Sequence, residues 1–341
     1  MQSVLIPRLF LLAIVGTGIL CPSWWQQLMS NLYRFLYHSP IFNLSFFETL
    51  ETVACYITIE PIYTRLFARN PDRRVDIRGK DDADPNSKRP PPLPKMKRPK
   101  HRLRELIIYA APLLLLDLTL IKKYAGVDVE TIRETGGYSP NLVPTGGISP
   151  SFLAPTLHNF SLQSTVQLTR ALPREAPTSR RVLIELAVSL VLYDALFFFI
   201  HIAFHRVPLL HRIHRPHHGH QEIHPQVTNQ LSVAERVALI LLANFSLNII
   251  GSHALTRTLF VPLFIYLLIE VHSGVELDWQ YDKILPAGWG AGTIKHATHH
   301  REGRRYFQPF FCWWDNWLEV VEERGKPRSR DYLAKRQRII R

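Results

Sequence analysis

Six stretches of this chain are apolar enough to read as buried or lipid-facing helices, and polar segments of very unequal length separate them. Val4 to Leu20 is apolar apart from Pro7, Arg8 and small residues and reads as an uncleaved membrane helix. Trp24 and Trp25 follow it, where interfacial aromatics belong. Ile41 to Phe67 is a weaker span, because Glu48, Glu51 and Glu60 interrupt it and point to the inside of a bundle. Leu106 to Ile121 is a third apolar run, closed by Lys122 and Lys123. Val182 to Ile200 is the clearest span. Val233 to Ile250 and Thr258 to Val271 form a pair turned at Gly251, the second of them short for a full crossing. The pattern predicts an all-α fold: a polytopic membrane helical bundle of four to six membrane helices with a helical polar domain attached.

Between these runs the chain is polar in two different ways. Arg69 to Arg104 holds 13 Lys or Arg against 5 Asp, and includes the extended run Arg89-Pro90-Pro91-Pro92-Leu93-Pro94. It supplies most of the net charge of +13. Beside apolar spans such a block is a cytoplasmic flank and not a nucleic-acid site. Tyr124 to Arg181 carries Gly136-Gly137 and Gly146-Gly147 and reads as loop. With the basic block in the cytosol and a crossing at each apolar run, His201–His224, His272 and His296–Arg341 all fall on the cytosolic side. The sequons at Asn43 and Asn159 then face the lumen. The three cysteines, Cys21, Cys55 and Cys312, have no metal or redox spacing.

Thirteen of the 16 histidines lie between His201 and His300. His201 and His205 form an H-x3-H. His214, His217 and His218 form an H-x2-H-H, and His296, His299 and His300 form another. Residues i and i+3 or i+4 share a helix face, so each cluster is expected to aim its imidazoles at one point. Imidazole suits iron, zinc and copper alike, and these eight side chains are too many for one ordinary ion and suit two. A histidine-rich metal-binding or metal-transporting membrane protein without oxygenase activity is the alternative. Transporters place ligands within the spans, whereas these boxes sit at span ends and in polar segments. A zinc hydrolase would need a general base such as that of H-E-x-x-H, which the chain lacks.

From Tyr193 to Val320 the chain resembles the fatty acid hydroxylase/sterol desaturase superfamily of membrane-bound, histidine-rich di-iron oxygenases, most of all its C-4 methylsterol oxidase branch. The three boxes carry the resemblance, with Ile269-Glu270-Val271-His272-Ser273-Gly274 and Trp313-Trp314-Asp315. Arg304-Arg305-Tyr306-Phe307, Leu318-Glu319-Val320 and Lys295 depart from that branch. The resemblance implies two non-haem iron ions held by His201, His205, His214, His217, His218, His272, His296, His299 and His300. It implies a lipophilic, sterol-like substrate that is hydroxylated, desaturated or oxidatively demethylated with O2 in the endoplasmic reticulum membrane. No dinucleotide fingerprint is visible, so electrons must come from outside, and the resemblance implies NAD(P)H through a reductase and cytochrome b5 as their source. Ligating imidazoles need a partner on the other nitrogen, and Asp194, Glu222, Glu270, Asp278 and Asp315 are the carboxylates expected there. His211 and His220 stand beside the second box as further second-layer residues.

The expected organisation is therefore residues 1–68 as N-terminal membrane helices, 69–104 as a basic Pro-rich cytosolic linker, and 105–181 as a membrane helix with a lumenal loop. Residues 182–325 form a fatty acid hydroxylase-like catalytic domain and 326–341 a basic tail.

Overall fold

The computed structural model describes residues 2–75, 102–119, 166, 168–170, 172–220 and 222–325. Most of the basic linker, most of the loop after Lys122 including its sequon at Asn159, and the basic tail lie outside the described residues. Among the described residues the chain is all-helical, with eleven α-helices and only isolated bridges in place of strands. We number the helices in chain order.

Helix α1 (Gln2–Leu20) is broken from α2 (Pro22–Tyr37) at Cys21. Pro22 lacks the N–H that would continue the α1 ladder but suits the first turn of a new helix. The two helices meet at 93°. Helix α3 (Phe47–Arg69) follows, then a 3-10 turn over Pro71–Arg73 and α4 (Arg102–Thr119). Helix α5 (Ser179–Arg206) is the longest, started by the Thr178 hydroxyl, which accepts from Arg181 N at 3.2 Å. Helix α6 (Pro208–His214) turns off it at once. Helix α7 (Val233–Asn248) begins with Ser232 capping Glu235 N, and α8 (Ala254–Val271) begins with the His253 ring accepting from Leu255 N. Short α9 (Tyr281–Ile284), α10 (Gly292–Glu302) and α11 (Trp313–Gly325) complete the chain's described part.

Against four to six expected membrane helices, α5 and α8 are long and apolar enough to cross a membrane, and the bent pair α1–α2 adds a third if counted as one span. Helix α3 carries Glu48, Glu51, Glu60 and Arg65, while the apolar part of α4 is confined to Ile107–Thr119 and α7 has 16 residues. Helix α8, in contrast, is longer than its apolar run, because Arg257 lies inside it. Its guanidinium is buried, with Nε and Nη2 donating to the Glu48 carboxylate of α3 at 2.9 and 3.0 Å. The resulting 18-residue helix is about 27 Å long at ~1.5 Å per residue.

The core joins these helices. Tyr193 and Phe197 of α5 pack with Leu242 of α7, Leu267 and Val271 of α8, and Phe310. Tyr63 and Phe67 of α3 pack on Ile269, Val275 and Leu277. Helices α5 and α8 both run toward the same end of the bundle. That end holds the histidines.

Candidate metal centre

The last two turns of α5 present His201 and His205 on one face. Pro208 then starts α6, whose end presents His214, and the turn after it carries His217 and His218. His272 caps the C-terminus of α8, and α10 supplies His296, His299 and His300. These nine residues, the same nine that the motifs single out, gather into two sets. The first is His201, His205, His214, His218 and His299, and the second is His217, His272, His296 and His300. Within each set the ring nitrogens all lie within 4.8 Å of one another.

The boxes do not each aim at one point, as their spacing suggests. Consecutive residues leave a helix about 100° apart, so His299 and His300 part into different sets, and in the turn after α6 His217 and His218 part in the same way. The two sets are thereby stitched together: the His218 and His300 rings stack across the divide, with centroids 4.5 Å apart. Seven of the nine rings are buried, and His205 and His218 of the first set are half-buried.

Nε2 is the converging atom throughout. In the first set His214 Nε2 lies 3.1 Å from His201 Nε2 and 2.9 Å from His218 Nε2, and His205 Nε2 lies 3.1 Å from His299 Nε2. In the second, His272 Nε2 lies 3.3 Å from His217 Nε2 and 2.9 Å from His296 Nε2, which is 3.1 Å from His300 Nε2. The opposite nitrogen is the one with an acceptor. Nδ1–H donates to Phe307 O from His201 (2.7 Å), to Arg305 O from His299 (2.7 Å) and to Leu268 O from His272 (2.6 Å). His218 faces His300 O in the same way at 3.3 Å. A proton fixed on Nδ1 leaves a lone pair on Nε2.

Burial, reinforced by neighbouring imidazoles, keeps these rings neutral. It pushes His214 down to about 2 and holds His217, His296, His299 and His300 well below the usual histidine range. Burial likewise lowers His272 to about 4. Neutral imidazoles with lone pairs facing one another at about 3 Å repel unless a cation lies among them. The donor set therefore fits metal ions, and its all-nitrogen chemistry fits iron, zinc or copper. Phe197, Phe204 and Phe307 wall the first set, their rings 4.8 Å from His201, 5.4 Å from His214 and 5.5 Å from His205.

Four of the five expected carboxylates take other partners. Asp194 is buried on the histidine face of α5, but it accepts from Gln308 Nε2 and from the Phe310 and Phe311 N–H groups. Asp315 accepts from Phe307 N at 2.7 Å and Gln308 N at 2.9 Å. Both thus shape the 307–311 segment whose carbonyl receives His201, and neither reaches an imidazole. Glu270 accepts from the Tyr63 and Tyr266 hydroxyls and Tyr281 N, tying α3, α8 and α9 together. Asp278 forms an exposed pair with Arg73 at 3.2 Å. Glu222 is half-buried in the segment between His218 and His224.

Motif spacing misses Glu235, whose Oε1 lies 2.6 Å from His214 Nδ1. Its visible signal is Ser232-x-x-Glu235, which marks a helix start and says nothing of the contact. It also misses Gln308, whose Oε1 accepts from Trp314 N and Asp315 N. His220 Nε2 lies 2.8 Å from His300 Nδ1 and so supports the second set, while His211 is exposed on α6 and His224 is buried beside Phe67.

Residues 186–319, which hold all nine histidines, match the fatty acid hydroxylase family. The chain is 33% identical over 164 residues to a cholesterol 25-hydroxylase of Rattus norvegicus, covering 48% of this chain and 54% of that protein. It is 32% identical to the cholesterol 25-hydroxylase of Homo sapiens over 46% of this chain and 58% of that one. With a methylsterol monooxygenase of Aspergillus fumigatus it shares 29% identity over 45% of this chain and 53% of that protein. The chain thus spans little more than half the length of these curated relatives. No solved structure matches it. Over residues 186–319, where its histidine motifs lie, the chain is thus similar to the fatty acid hydroxylase family and to sterol hydroxylases of that kind.

Proposed function

We propose that the chain is a membrane-bound, O2-dependent hydroxylase of a sterol or sterol-like lipid, with two non-haem irons held by the nine histidines. The single observation that carries this reading is the pair of adjacent buried Nε2 sets at the end of two apolar helices. Among the three outcomes open from sequence, hydroxylation is favoured. The relatives named for it stand at 33% and 32% identity, against 29% for the methylsterol monooxygenase.

The chemistry that a pair of irons would supply is O2 activation and removal of hydrogen from an unactivated C–H bond. The chain's own residues do the rest. The carbonyls of Phe307, Arg305 and Leu268 hold His201, His299 and His272 in the tautomer that turns Nε2 inward. Phe197, Phe204 and Phe307 keep water from the first set. Ile184, Val188, Val191 and Phe199 leave α5 with an exposed apolar side beside the site. A lipid would approach along that side from within the bilayer.

Electrons come, in this reading, from NAD(P)H through a reductase and acidic cytochrome b5. The catalytic unit is residues 182–325, and the histidines face the cytosol from the endoplasmic reticulum membrane. The test is expression in microsomes supplied with NADH and cytochrome b5, followed by sterol profiling of wild type and His217→Ala. The expected result is an oxygenated sterol made only by the wild type and only with O2. An identical product from both chains would overturn the site assignment.

A further inference from the structure

The two histidine sets are not chemically alike. In the first, His214 Nδ1 faces the Glu235 carboxylate at 2.6 Å, with both side chains at most 2% exposed. Among the described residues no other ring of the nine has a carboxylate hydrogen-bonded to it. The second set has weaker support. His272 donates to a backbone carbonyl, and His300 Nδ1 meets another imidazole, His220. His217 Nδ1 and His296 Nδ1 are buried without a partner.

A carboxylate behind an imidazole raises its basicity and spreads negative charge toward the ligand atom, whereas a carbonyl does so less. Glu235 is built for this. Ser232 fixes it in the first turn of α7, and the neighbouring Arg236 points away, to Asn229 and over the Tyr109 ring. The second oxygen of Glu235 is buried with no hydrogen-bond donor. Burying a carboxylate is costly, and a cation on the far side of His214 offsets that cost.

We propose that Glu235 is a positioning residue that makes the two cation sites unequal, so that the five-histidine set binds its ion more tightly and fills first. The inference rests on the reading of the nine histidines as ligands, and it does not depend on the substrate. The test uses the full-length chain in detergent, stripped with a chelator and titrated with Zn2+ against a competing indicator. Co2+ absorption follows the same titration. The wild type is expected to take up two ions in two separable steps. His214→Ala should remove the first step and His296→Ala the second. Glu235→Gln keeps an acceptor for His214 Nδ1 and loses the charge. It should weaken the first step about 10–100-fold and leave the second unchanged, which also reports that the variant is folded.

Two indistinguishable steps in the wild type, or equal weakening of both by Glu235→Gln, would overturn the inference, as would no weakening at all. Uptake of fewer than two ions by the wild type would overturn the ligand assignment and this inference with it. Ordered uptake of two ions by a chain that oxidises no sterol would sink the hydroxylase reading alone.

Discussion

The carbonyl of Phe307 accepts the Nδ1–H of His201 at 2.7 Å across 106 residues of sequence. That carbonyl is itself held from behind, because the Phe307 and Gln308 N–H groups donate to Asp315 and Gln308 reaches Asp194. A helix-borne ligand is thus aimed by an irregular segment, and the segment by two buried carboxylates.

Asp315→Ala removes the acceptor of two buried N–H groups. Each such loss costs about 1–3 kcal/mol, so a lowered thermal midpoint is expected together with reduced metal content. Asp315→Asn, which keeps one acceptor oxygen, should recover part of both. Metal analysis alongside thermal unfolding checks this. Unchanged metal content in a folded Asp315→Ala chain would show that Phe307 needs no support.

Gly274 gives the His272-Ser273-Gly274 segment a physical reason. It adopts φ 69°, and a Cβ there would lie 2.2 Å from Ile223 O and 2.9 Å from the Phe67 ring. Gly288 also has a positive φ, 83°, but its Cβ would meet nothing within 4 Å. Gly288→Ala should therefore cost only the left-handed backbone term, roughly 1–2 kcal/mol. Gly274→Ala must displace a backbone carbonyl as well, and it should lower the thermal midpoint far more and shift His272. Equal midpoints for the two variants would contradict the packing described here.

At the other end of α8, Arg257 and Glu48 form a buried pair, with side chains 3% and 8% exposed. Glu48 also pairs with the buried Arg170 at 3.3 Å, so losing Arg257 leaves it half-compensated and costs less than the roughly 3–5 kcal/mol of an isolated buried pair. Arg257→Ala is accordingly expected to express poorly and unfold early, while the protein that survives binds metal in the wild-type ratio. A normal midpoint with altered metal content would reverse the roles assigned to the two ends of the helix.

What the sequence disclosed and what it hid divide along contact range. The helices and eight of the nine histidines are legible because apolar runs and box spacings are local patterns, whereas His272 lies in no box and enters only with the family resemblance. The sorting of His217 from His218, and of His299 from His300, depends on how separate segments face one another, which no spacing encodes. Asp194 lies on the histidine face of α5, yet its partners lie 114 to 117 residues away in a turn without periodicity. Arg257 stands just before the apolar run that begins at Thr258. Inside the helix it is neutralised by Glu48, 209 residues earlier, and held by Asn244 and Asn248 of α7. Glu235 was hidden by its own local role in starting α7.

The outer wall of the first histidine set carries charge suited to an acidic electron donor. Arg212 and Arg215 are exposed beside His214, and Arg304 is exposed after α10, next to the Arg305 carbonyl that receives His299. None of the three forms an ion pair among the described residues, and His205 and His218 beneath them are the least buried of the nine. Opposite charges at such a surface raise encounter rates in a salt-dependent way. The triple variant Arg212→Glu, Arg215→Glu, Arg304→Glu is therefore expected to raise the KM for cytochrome b5 at least about tenfold and to flatten its dependence on ionic strength. Metal content should stay at the wild-type value, since none of these side chains touches a ligand ring. An unchanged KM at low salt would place the donor elsewhere, and the wall would then be a solvated surface with no part in electron delivery.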